Sequence, residues 1–216
     1  MNKYTLSKPT KILSTKQEKE SIQYINEYTP SLPALILEIS PPACGKSTVA
    51  ANIAFNIYTD HKGEPFFKRV IWLSPSVLTD KSLSGVRKLA NDEDNDKIEI
   101  QLINDVGNIE KTLEGIIEYL QENKEGDAEN GVNTILIIDD AMAFLQRTFQ
   151  SVLTGLCSRY RHIGHNLSII ICVQTYHGIP KPIREMASSI LVLGAQGKAK
   201  FEIVEDFEGI FGDEFE

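Results

Sequence analysis

Residues 34–50 read ALILEISPPACGKSTVA, and their order decides the fold. Ala34 to Ile39 is an apolar run of strand length, Ser40 to Ser47 is a small-residue loop, and TVAANIAFNIYT has the apolar spacing of a buried helix. A phosphate-binding loop asks for Gly, four residues, Gly, Lys and then Ser or Thr. Gly45, Lys46 and Ser47 meet that pattern, while Ser40 stands where the first glycine belongs. The chemistry needs backbone amides turned onto a β-phosphate at a helix N-terminus, a lysine on the β/γ oxygens and a hydroxyl on magnesium. On this reading Ser40, Pro41, Pro42, Ala43, Cys44, Gly45, Lys46, Ser47 and Thr48 bind ATP, with Ser47 also holding Mg2+. Serine at position 40 puts the opening turn in question, because a positive φ there would cost it of order 1 kcal/mol that glycine avoids.

Working outward, Thr134 to Ile138 is a continuous apolar strand of the kind a doubly covered parallel sheet uses, and Asp139 and Asp140 close it. Asp139 is expected on a magnesium-bound water, and Asp140 is expected to orient or deprotonate the attacking water. Further strands are read at Val70 to Leu73, Ile98 to Ile103, Ser168 to Val173 and Ile190 to Leu193. Gln174, at the tip of the third of these, is placed to sense the γ-phosphate. Helical stripes run through Ile109, Leu113, Ile116, Ile117 and Leu120, and from Phe144 to Tyr160. A short helix is expected over Glu18 to Tyr28, and ENKEGDAENG (122–131) reads as a surface loop.

Strands alternating with helices predict an α/β fold: a P-loop NTPase core of the additional-strand, RecA-like type, with a mostly parallel central sheet flanked by helices. The expected organisation is an N-terminal leader over 1–33, the ATPase core over 34–196 and an acidic C-terminal segment over 197–216. Arg184 and Arg161 are the candidates for the arginine that meets transition-state charge across a subunit interface, though either could face solvent or DNA instead. His162 and His165 have no third ligand in view, so packing or capping suits them better than a metal.

Composition bounds the rest. Hydrophobic residues make up 42% and charged residues 24%, ordinary for a globular chain. No apolar run approaches the roughly 18 residues of a membrane span, and the polar N-terminus is unlike a signal peptide, so a cytoplasmic setting in the host cell, with possible association with virions, is expected. The three cysteines show no paired short spacing, which disfavours a zinc knuckle or a disulfide framework. A formal charge of −8 opposes polyanion binding as a whole. Between Arg159 and Lys200, however, Arg159, Arg161, Lys181, Arg184, Lys198 and Lys200 face only Glu185. The acid gathers in Asp92 to Asp96 and Glu202 to Glu216.

IIDDAMAFLQ (137–146) together with SRYRHIGHNLSIIICVQTYHGIPKPIREMASSILVLG (158–194) resembles the genome-packaging ATPases of the FtsK/HerA superfamily, of the poxvirus, large-DNA-virus and internal-membrane icosahedral virus type. The likeness runs over about Ala34 to Leu193 and includes Asp139 and Asp140, Arg161 and His162, Gln174, and Pro182 to Arg184. It implies a homo-oligomeric ring, often a hexamer, that threads double-stranded DNA into a preformed capsid by ATP hydrolysis at subunit interfaces. Capsid or internal-membrane vertex proteins are the further partners it implies. Lys181, Lys198 and Lys200 are candidates for DNA contact. The competing readings are a small monomeric P-loop kinase and a nucleotide-dependent interaction module that does not turn ATP over.

Overall fold

The computed structural model describes residues 29–59, 63–105, 107–140, 147–194, 203 and 204. The strands are β1 (Leu35–Ile39), β2 (Phe67–Leu73), β3 (Glu99–Ile103), β4 (Asn133–Ile138), β5 (Ser168–Val173) and β6 (Ser189–Val192). They form one six-stranded sheet in the order β3-β2-β4-β5-β1-β6, with every pairing parallel. The helices are α1 (Lys46–Asn52), α2 (Ser84–Ala90), α3 (Ile109–Asn130), α4 (Arg147–Ile163) and α5 (Lys181–Met186). A π-helical stretch, Ile53–Ile57, prolongs α1.

Strand alternation divides the apolar side chains into two cores. Leu35, Leu37, Leu136, Ile138, Ile169 and Ile171 pack with Leu113, Leu120, Phe149, Leu153 and Leu156 under α3 and α4. Ile36, Trp72, Ile137, Ile170 and Cys172 pack on the other face with Ala50, Ile53 and Ala54 of the α1 stretch and Val86 of α2. Both faces are covered, which is why β4 and β5 are apolar after their first one or two residues and β1 is apolar but for Glu38. Among the described residues no helix is long and apolar enough to cross a membrane.

Two expectations are corrected. ENKEGDAENG is not a loop, because α3 continues through Asn130 and ends only at Gly131, whose φ of 64° caps it. The reason is tertiary: Asp127 is buried and accepts a hydrogen bond from Arg69 of β2, so the polar half of the helix is tied to the sheet. β2 also begins earlier than its apolar run. Arg69 sits inside the strand, buried, with its Nε donating to Glu99 at 2.6 Å and its guanidinium over the Tyr119 ring. The Glu18 to Tyr28 helix, Phe144 and Leu145, Lys198 and Lys200, and nearly all of the acidic tail lie outside the described residues.

Candidate functional site: a phosphate loop facing two acids

In this order β4 is not the neighbour of β1: β5 lies between them, so the loop after β1 and the acids after β4 flank the tip of β5. Backbone bonds level the C-terminal edge, with the Ser40 amide donating to the Val173 carbonyl at 3.0 Å and the Asp139 amide to Leu73 at 2.9 Å. That edge carries the candidate residues of the loop and the two acids.

The loop turns through Ala43 at φ 60° and Gly45 at φ 93°, and Gly45 is the residue preceding α1. Left-handed backbone at Gly45 is what glycine supplies without steric cost. Ser40 is not among the left-handed residues; it is fully buried, and its hydroxyl donates to the Pro41 carbonyl at 3.0 Å. The strain that a serine would have carried thus falls on Ala43 instead. Lys46 is buried, with its ammonium donating to the carbonyls of Ser40 at 3.2 Å and Pro41 at 3.5 Å. Thr48, Pro42 and Cys44 are exposed along the loop and first helical turn. Gly194, at the exit of β6, lies so close that a Cβ there would stand 3.0 Å from Cys44 Sγ.

Asp139 is 1% exposed, and both its carboxylate oxygens are engaged. Oδ2 accepts the Ser47 hydroxyl at 2.8 Å, and Oδ1 accepts the Asp140 amide at 2.9 Å. Burial pushes this carboxyl above its ordinary range, the neighbouring Asp140 charge adds to that, and the Ser47 hydroxyl, the Asp140 amide and Lys46 pull the other way. Asp140 takes the left-handed conformation, φ 56°, and its Oδ2 accepts from Ser76 Oγ at 3.4 Å. Ser76 in turn meets Ser74 Oγ at 3.2 Å at the end of β2.

Of the other candidates, Gln174 is exposed at the tip of β5, between loop and acids. Arg184 is half-buried on α5 with its guanidinium 4.5 Å from the ring centroid of Tyr176, two residues beyond Gln174. Arg161 is not brought to the loop. It stacks on Tyr160, whose hydroxyl donates to Pro33 ahead of β1, so Arg161 lies at the opposite edge of the sheet. The five residues of β1 separate the two edges by about 16 Å. His162 and His165 are near that far edge, and among the described residues no three His, Cys, Asp or Glu groups are placed to hold a metal.

Sequence reasoning did not single out Ser74, Ser76 or Glu38. Ser76 left only a weak trace, the polar SPS after an apolar strand. Glu38 left a clear one: an acid inside ALILEI, a run otherwise wholly apolar.

No protein-family model and no curated protein matches the chain. Solved structures do share its architecture. The cytoplasmic domain of the Thermomonospora curvata Type VII secretion ATPase EccC has a TM-score of 0.52 at 19% identity, over 76% of this chain and 20% of that one. EssC (ATPases 2 and 3) from Geobacillus thermodenitrificans gives 0.51 at 15%, over 79% of this chain and 34% of that one. The genome packaging NTPase B204 of Sulfolobus turreted icosahedral virus 2, in complex with sulfate, gives 0.49 at 13%, over 82% of each chain. The chain therefore spans about a third or less of the EccC and EssC chains. With the parallel sheet and its strand order, the EccC and EssC likenesses define the class: an α/β P-loop NTPase fold of the additional-strand type.

Proposed function

We propose that the chain is an ATP-hydrolysing motor that translocates double-stranded DNA, of the kind that packages a viral genome. One observation carries the hydrolytic half: Ser47 and Asp139, 92 residues apart, meet at 2.8 Å across the tip of β5. Hydroxyl and carboxylate oxygens are the hard donors magnesium takes, and the buried Lys46 ammonium stands at the same loop. Ser47 and Asp139 would hold the ion, which when bound would neutralise charge on the phosphates. The amides from Ala43 to Ser47 would cradle the β-phosphate, and Lys46 would turn from its two carbonyls to the γ-oxygens.

Asp140 is the residue we assign to the attacking water. Its backbone turn and the Ser76 hydroxyl hold its carboxylate beside Asp139 rather than within the metal pair. Gln174 reads the γ-phosphate from the intervening strand tip. Arg184, at the same end of the sheet, is the favoured arginine to act on a neighbouring subunit's nucleotide; Arg161, at the far edge, is the second choice.

The DNA half rests on the sequence resemblance and on the basic run from Arg159 to Lys200. Mass in solution with Mg-ATP, and phosphate release with and without duplex DNA, tests it. Assembly into a ring and DNA-stimulated release that weakens steeply with salt are expected. A strict monomer that ignores DNA and phosphorylates a nucleoside would replace the motor by a small kinase.

A further inference from the structure

Glu38 is the fourth of the five residues of β1, two before Ser40, with no exposed surface. Parallel register sets it beside Cys172 of β5 on one side and Leu191 of β6 on the other. Ile36, Ile170 and Ile137 all pack on the α1 face, so alternation carries Glu38, Cys172 and Asp139 to that same face in one row. The Cys172 thiol donates to Glu38 Oε2 at 3.4 Å, while Oε1 is buried with no hydrogen-bonding partner among the described residues. Three ionisable groups face the carboxyl: Cys172 from β5, Lys46 from α1 and Asp139 from the end of β4.

An ionised carboxylate in this position would act as a built-in counter-ion for Lys46, competing with a triphosphate for the same ammonium. It would also repel Asp139 and the phosphates, and would sit in an apolar core with one oxygen bare, where a charge is poorly solvated. A protonated acid does none of this. We propose that Glu38 is a positioning residue of the nucleotide site that works as a neutral carboxylic acid, leaving the Lys46 charge to the phosphates, and that its ionisation weakens nucleotide binding. The proposal rests on the nucleotide-binding reading given above.

The change falls within reach of experiment, because burial drives this carboxyl up to about 8. Asp139 pushes in the same direction, against the Cys172 hydrogen bond and the Lys46 charge. A bound triphosphate adds negative charge nearby and so favours the protonated form. By linkage, losing that proton must weaken binding, by at most about tenfold per pH unit.

The test is Mg-ATP affinity of the full chain by calorimetry from about pH 6.5 to pH 9.5, for the wild type and Glu38→Gln. The neutral isostere should bind within about threefold of wild type at the acid end and stay nearly flat, while the wild type falls by about tenfold at the alkaline end. Cys172→Ala, which keeps the acid but removes a donor that favours its ionised form, should move the alkaline fall to higher pH. This second variant decides the matter if Glu38→Gln does not fold. Infrared difference spectra at neutral pH should show the carbonyl stretch of a protonated carboxylic acid that Glu38→Gln lacks, with no nucleotide present. Coincident pH profiles, a tenfold loss in Glu38→Gln at the acid end, or absence of that stretch would overturn the proposal while leaving nucleotide binding intact. No binding at any pH would remove both.

Discussion

At the C-terminal ends of the strands the chain bends through Ala43, Gly45 and Asp140, all left-handed, and presents Lys46, Asp139 and Asp140 within one small region. At the N-terminal ends, side chains tie the strands together. Ser168 Oγ accepts from the Ala34 amide, Ser188 Oγ from Leu35, the Tyr160 hydroxyl donates to Pro33, and Asn166 bridges to Asn133. The one left-handed side chain described there, Asn166 at φ 43°, belongs to a residue type that tolerates it. Aspartate shares that tolerance, so the costly left-handed residue is Ala43. Strain and like charge are thus collected at one end, and hydrogen bonds that satisfy the backbone at the other, as expected when one end binds and the other only holds.

Mutations at the two ends should separate these roles. The largest expected effect is on chemistry: Lys46→Ala should lower ATP hydrolysis by about a thousandfold, with the melting temperature of the free protein little changed. Steady-state phosphate release alongside a thermal melt checks both halves of that statement. At the holding end the balance should invert. Asp127→Ala leaves the buried Arg69 with Glu99 as its one ion-pair partner among the described residues, and should cost about 3 kcal/mol in urea unfolding while Mg-ATP affinity in the folded protein is unchanged.

The phosphate loop allows a finer comparison. Ala43→Gly relieves a left-handed alanine and should stabilise the fold by up to about 1 kcal/mol. Ser40→Gly restores the usual loop pattern but relieves nothing, since Ser40 is not left-handed. It should change stability by less than about 0.5 kcal/mol, or cost slightly through added freedom of the unfolded chain. A larger gain from Ser40→Gly than from Ala43→Gly would mean that the strain sits where the sequence pattern, rather than the backbone, suggests.

Much of this was legible before any coordinates. Apolar strands of the β1, β4 and β5 kind announce themselves because both faces of the sheet are covered, and Ser168–Val173 was readable to the residue. GKS after one strand and two acids after another pointed to two segments that the fold brings together, Ser47 meeting Asp139. What escaped depended on contacts made far along the chain. The start of β2 was hidden because Arg69 reads as a surface cation until Asp127 and Glu99 are placed around it. The second half of α3 was hidden for the same reason, seen from Asp127. Ser76 became a partner of Asp140 only once β2 was known to lie beside β4. The additional-strand core expected from the sequence has a strand between β1 and β4, and the one that stands there is β5, which follows both in the chain.

Gly194 leaves β6 close against Cys44: an added Cβ would stand 3.0 Å from its sulfur, and the Cys44 side chain would have to give by a few tenths of an ångström. Closely packed atoms pass displacement on instead of absorbing it. A larger residue at 194 would therefore push on the side chain of Cys44, the neighbour of the left-handed Gly45 that leads into α1.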